Sequence, residues 1–270
     1  MTSTSHDPAL AAPRPGVWRQ YAELTKARLS TLVVVTTAIG FVMGSIGAVD
    51  WLRLLWTVVG TGLCAGCASG LNQAIEHRRD ACMPRTRHRP VPSGAMSLRH
   101  AALASAVMGY VGLTMLGVLV NLGAAALAAL TIAVYVLVYT PMKTRSTMNT
   151  LIGAVVGAIP PMIGWVGAAG EIGPGAWILA TILFIWQLPH FLALAWMYRD
   201  DYALGGFRML PMHDPSGEIT SRVAVLTSLL LLPVSLAAVL VGLAGLFYAI
   251  AAVLLAGWMA LLAWRFHARR

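Results

Sequence analysis

Eight long apolar runs dominate this sequence, near residues 29–49, 52–75, 100–120, 122–141, 150–170, 174–198, 223–243 and 244–264. A helix needs about 20 apolar residues to cross the hydrocarbon core of a bilayer. Within lipid every backbone N–H and C=O must be satisfied by the segment itself, so runs of this kind fold as helices. Composition closes off a water-soluble alternative. Hydrophobic residues make up 58% of the chain and charged residues 11%, against about 25% charged in a typical soluble domain. The expected fold is all-α: a polytopic transmembrane helical bundle of about eight spans.

The net charge of +9 has two readings, nucleic acid or membrane topology, and position decides between them. When successive loops are assigned to alternate sides, 18 of the 19 Lys and Arg residues fall on one side and only Arg53 on the other. That asymmetry is the positive-inside pattern. It sets both termini in the cytoplasm and excludes a nucleic-acid partner. Residues 1–20 read as a disordered, retained tail without the apolar core of a signal peptide, and 21–270 as a single transmembrane domain. Two long loops, 76–99 and 199–222, follow the second and sixth spans, a spacing that suggests two four-helix halves. Cys64 and Cys67 are not a haem attachment site, because Ala68 stands where His is required. They read as small residues at a helix contact.

The second span runs out through Asn72, Glu76 and Asp80. Residues four apart on a helix turn by only about 40°, so the three side chains share a stripe. Two carboxylates and an amide suit a hard cation such as Mg²⁺, which commonly shares its ligands with substrate phosphates. A solvated helix end is the competing reading. The basic turn Met83-Pro84-Arg85-Thr86-Arg87-His88-Arg89-Pro90 follows directly, and guanidinium forks match phosphate oxygens. Acids beside arginines are what a diphosphate site requires, whereas topology alone accounts only for the arginines. After the fourth span come Tyr139, Lys143 and Arg145, which could reach the same phosphates or merely anchor the helix by snorkelling. The sixth span contains Trp186-Gln187-Leu188-Pro189-His190-Phe191 and ends in Asp200-Asp201-Tyr202. An ionisable group at membrane depth, here His190, is a functional candidate.

These residues resemble the UbiA superfamily of intramembrane prenyltransferases, and within it the haem-farnesylating branch. The resemblance rests on Asn72…Glu76…Asp80 with the basic turn and Pro92-Ser93-Gly94. It continues through Tyr139-Thr140…Lys143-Thr144-Arg145 into Asn149…Gly153…Gly157-Ala158…Pro160-Pro161…Gly164-Trp165, then the Trp186–Phe191 segment, Asp201-Tyr202 and Met209-Leu210-Pro211. It implies a UbiA-like bundle with its active site at the cytoplasmic end, in the cell (inner) membrane. It also implies farnesyl transfer from farnesyl diphosphate to a vinyl group of haem b, with haem as substrate and Mg²⁺ as cofactor. Asn72, Glu76, Asp80, Asp200 and Asp201 would hold the metal, and Arg85, Arg89, Lys143, Arg145 and Tyr139 the diphosphate. His190 would orient haem, act as a base or ligate iron. A haem A synthase or terminal oxidase assembly proteins are the implied partners.

The chain departs from the family pattern in three places. Glu76 stands where the superfamily often has Asp. Asp200 and Asp201 are adjacent rather than four apart, so they point about 100° apart on a helix, and Asp201 is the favoured ligand. The family usually has nine membrane helices, and the expected count here is eight. Two rival functions are defined by the same residues. A UbiA enzyme with an aromatic, quinone-precursor acceptor would lack the Trp186–Phe191 segment. A transporter would carry its polar groups near the midplane, whereas these acids and bases gather at one end.

Overall fold

The structure, a computed structural model, describes residues 16–270, and all its regular elements are helical. A short helix α1 (Val17–Leu24) precedes α2 (Ala27–Gly44), α3 (Trp51–Asp80), α4 (Leu98–Leu119) and α5 (Leu122–Ala133). A π-helical segment, Val134–Tyr139, carries α5 into the single turn α6 (Thr140–Met142). Then come α7 (Asn149–Ala169), α8 (Pro174–Met197), the short α9 (Arg199–Leu204), α10 (Glu218–Leu240) and α11 (Leu246–Arg269). Eight helices are long and apolar enough to cross a membrane, α5 to α6 counting as one, which matches the eight expected. Of the expected tail, residues 1–15 lie outside the described residues, and residues 17–20 belong to α1.

Local chemistry sets several helix starts. Asp50, Ser97 and Asn121 accept the N–H of Arg53, His100 and Ala124 at the first turns of α3, α4 and α5, satisfying donors that have no partner within the helix. Helix α3 continues five residues beyond the apolar run, to Asp80. This keeps Asn72, Glu76 and Asp80 on one continuous stripe.

Helix α7 is the centre of the bundle and packs on α2, α3, α5 and α8. Its contact with α2 is backbone against backbone. A Cβ on Gly40 would overlap the Pro161 carbonyl oxygen, and one on Gly164 would overlap that of Thr37. In lipid, where apolar side chains gain nothing from leaving their solvent, close approach through small residues is what holds helices together. Beyond α8 lie α10 and α11. The two long loops meet over the end of the bundle that carries the basic residues. Met83 packs with Phe207 and Met209, and Arg79 Nη1 donates to the Gly205 carbonyl at 3.0 Å.

Candidate active site

Beneath these loops lies a chamber of about 820 Å³, walled by α2, α3, α5, α7 and α8. Its mouth is charged and its depth is apolar. Glu76 and Asp80 of the α3 stripe form one side of the mouth, while Asn72, on the same stripe, is off the chamber wall; all three are buried. Each has a cationic partner from a different segment. Asn72 Oδ1 accepts from Lys26 Nζ at 2.9 Å. Glu76 has Lys143 Nζ at 2.9 Å from Oε1 and accepts its hydrogen bond on Oε2 at 3.1 Å. Asp80 Oδ2 accepts from Arg89 Nη1 at 2.7 Å.

The other walls are shaped by backbone irregularities. Pro141 has no N–H to give, which disfavours a regular α-helical turn before it, and the π segment lies there. The widened turn sets the Tyr135 and Tyr139 rings 5.1 Å apart, both on the chamber wall. The Tyr135 carbonyl accepts the Thr140 hydroxyl at 2.8 Å, and Thr140 Oγ1 accepts Asn72 Nδ2 at 3.1 Å. The Asn72 amide is therefore engaged at both ends. Lys143 Nζ lies 4.7 Å from the centre of the Tyr139 ring. Lys26 adopts a left-handed backbone at φ 49°, uncommon for any residue but Gly, Asn or Asp.

The two lysines differ electrostatically. Burial pulls the Lys26 ammonium below the usual lysine range; Tyr135 opposes this, and nearby Lys143 and Arg89 add to it. Burial works against Lys143 too, but Tyr139, Glu76 and Tyr135 outweigh it and hold that ammonium above the usual range. Lys143 thus has a carboxylate as its direct partner, whereas Lys26 has the Asn72 amide oxygen and the Tyr135 hydroxyl.

The second acidic group is split. Asp200 is 98% exposed and lies 3.8 Å from Arg199 Nε. Asp201 is 21% exposed and lies 3.7 Å from Arg85 Nε, whose guanidinium also sits over the Tyr198 ring at 4.9 Å. Neither aspartate lines the chamber, and neither does Arg145, which is exposed. Among the described residues no three His, Cys, Asp or Glu side chains converge as a ready-made metal cluster. The donor set nevertheless fits Mg²⁺ shared with a ligand. Glu76 Oε1 is buried and has no hydrogen bond, and Mg²⁺ typically takes one or two carboxylates plus substrate phosphates. His190 is on the chamber wall, its ring stacked on Trp186 at 5.2 Å and 13°.

Sequence reasoning missed Lys26, Tyr135 and Thr140. Lys26 reads as one more positive-inside charge, and its signal, the positive φ, is not visible in the chain. Thr140 and Tyr135 lie within the quoted cluster or one turn before it, but spacing along one helix does not show that Thr140 meets Asn72 and Tyr135 meets Lys26.

A charged mouth over an apolar chamber suits a ligand that is anionic at one end and hydrocarbon at the other, and this places the chain among the membrane-embedded prenyltransferases. The UbiA prenyltransferase family matches residues 33–270, and the chain belongs to it. It is 42% identical over 249 residues to the protoheme IX farnesyltransferase of Solibacter usitatus, covering 89% of this chain and 85% of that one. It is 44% identical over 253 residues to the protein of that name from Koribacter versatilis, covering 91% and 81%. Among solved structures, a UbiA homologue from Archaeoglobus fulgidus bound to GPP and Mg²⁺ superposes with a TM-score of 0.78 at 12% identity, over 93% of this chain and 88% of that one.

Proposed function

We propose that this prenyltransferase moves a farnesyl group from farnesyl diphosphate to a vinyl group of protohaem IX, giving haem O for haem–copper oxidases. The observation that carries the reading is the pairing of each residue on the Asn72–Glu76–Asp80 stripe with a separate cation at the mouth of one apolar chamber. The name shared by the relatives supplies the acceptor.

In this reading Lys26, Arg89 and Lys143 receive the diphosphate, and Arg85 reaches it from across the mouth. Glu76, Asp80 and Asp201 would hold Mg²⁺ with the diphosphate oxygens, and Asn72 would position Lys26 beside them. The chemistry Mg²⁺ supplies when bound is neutralisation of charge on the leaving group. Positive groups fixed at the mouth stabilise that same charge as the carbon–oxygen bond breaks. The allylic carbon then alkylates the vinyl group, and water adds to the resulting porphyrin-side cation with loss of a proton. The apolar chamber keeps water from the allylic cation until the acceptor is reached. His190 orients haem or accepts the proton.

The active site faces the cytoplasm, with both termini on that side of the cell membrane. A haem A synthase or an oxidase assembly protein takes the product. The test is incubation of purified protein with haem b, farnesyl diphosphate and Mg²⁺. A haem heavier by one farnesyl group plus one hydroxyl is expected, and it should disappear with EDTA. No such product, together with prenylation of an aromatic quinone precursor, would overturn the acceptor. Normal haem O output from His190→Ala would remove both roles of that residue.

A further inference from the structure

We propose that Thr61, Ala128 and Ile163 form the floor of the chamber and set the length of prenyl chain it accepts. The inference rests on the chamber holding a prenyl diphosphate, and it deepens that reading by naming what selects the substrate.

Thr61, Ala128 and Ile163 are the deepest wall residues contributed by α3, α5 and α7. Thr61 lies fifteen residues below Glu76 on α3, roughly 22 Å at about 1.5 Å per residue. At this level Ala128 and Ile163 pack with Cys64, Leu116 and Ala124 in one buried cluster. A chain anchored by its diphosphate at Glu76 therefore meets a wall at a defined depth.

Thr61, Ala128 and Ile163 are all buried, so the floor has no slack on its far side. A chain one isoprene unit longer than the floor admits must displace Ile163 and the side chains packed with it, and the floor rejects excess length by volume.

The test measures binding of unreactive S-thiolodiphosphate analogues of geranyl, farnesyl and geranylgeranyl diphosphate to the full-length protein with Mg²⁺, which needs no acceptor. Affinity ratios within one variant do not depend on the fraction folded. Ile163→Ala should raise the geranylgeranyl-to-farnesyl ratio about tenfold, the scale on which an apolar pocket discriminates small groups. Thr61→Ala, which shortens a floor side chain, should raise the same ratio severalfold, and Ala128→Leu should lower the farnesyl-to-geranyl ratio. Unchanged ratios in all three variants would overturn the floor and leave the prenyltransferase reading standing. Failure of wild-type protein to bind any of the three would overturn both.

Discussion

Lys143 and Glu76 form an ion pair nine-tenths withdrawn from water, with Nζ 2.9 Å from Oε1, although one residue follows the fourth span and the other lies in the last turns of the second. A pair this deep is held by mutual need, because either charge alone would be stranded. Oε1 makes no directed hydrogen bond but lies against the ammonium, so a metal that took it as a ligand would share it with Lys143.

Glu76→Gln should therefore do more than remove a ligand. It strands the Lys143 ammonium, at a cost of about 3–5 kcal/mol, and Lys143→Met strands the carboxylate with a similar loss. In the double variant the losses should fall well short of their sum, while prenyl transfer is abolished in all three. A double-mutant cycle read by denaturant unfolding in detergent, alongside turnover, checks this. Strictly additive losses would mean that the two charges are not coupled.

Asp200 and Asp201 should differ sharply. Asp201 is partly buried and faces Arg85 at the mouth, whereas Asp200 points to solvent. Asp201→Ala should lower kcat/KM by about 10²-fold, the scale for losing one preorganised electrostatic group, and should raise the Mg²⁺ concentration needed for half-maximal rate. Asp200→Ala should stay near wild type, as exposed substitutions generally do. Equal effects would contradict the assignment.

The spans were legible because bilayer thickness turns run length into helix count, and the Asn72–Glu76–Asp80 stripe because helical period turns spacing into direction. What spacing along one helix does not carry is the partner across the gap. Asn72 reads as a metal ligand, yet its amide oxygen meets Lys26 and its nitrogen meets Thr140, contacts that depend on a left-handed lysine and a π segment. Arg145, placed at the diphosphate by its nearness to Lys143, is exposed and off the chamber wall. The chain turns outward after Met142, and two residues there suffice to separate a buried cation from a surface one.

Gly40 and Gly164 should tolerate no side chain. A Cβ at either would meet backbone oxygen of the facing helix, and backbone cannot swing aside as a side chain can. Gly40→Ala or Gly164→Ala should cost at least the upper part of the roughly 1–3 kcal/mol range for overpacking. It should also push α2, and with it Lys26, away from the mouth. Lower thermal stability in detergent and weaker prenyl diphosphate binding are expected together. Loss of neither would show that α2 and α7 can separate freely.

Asp214 ties the second long loop to α10 and should make that junction acid-sensitive. It is buried, and burial alone would raise its pKa. Its carboxylate accepts the N–H groups of Thr220 at 2.7 Å and Glu218 at 3.2 Å and the Ser216 hydroxyl at 3.2 Å. These bonds outweigh burial and hold the carboxyl below its ordinary value of 3.8. A carboxyl depressed in the folded state contributes stability that is fully present above its unfolded value and fades as pH falls through the folded one. Asp214→Asn, which cannot accept from all three donors, should cost about 0.5–2 kcal/mol near neutral pH, the range for losing a helix-capping oxygen. The difference in unfolding midpoint between wild type and variant should be constant from neutral pH down to about pH 5 and narrow only below pH 3.8. A difference that grows on acidification would show that the Asp214 carboxyl is raised rather than lowered, and that these bonds do not hold the loop.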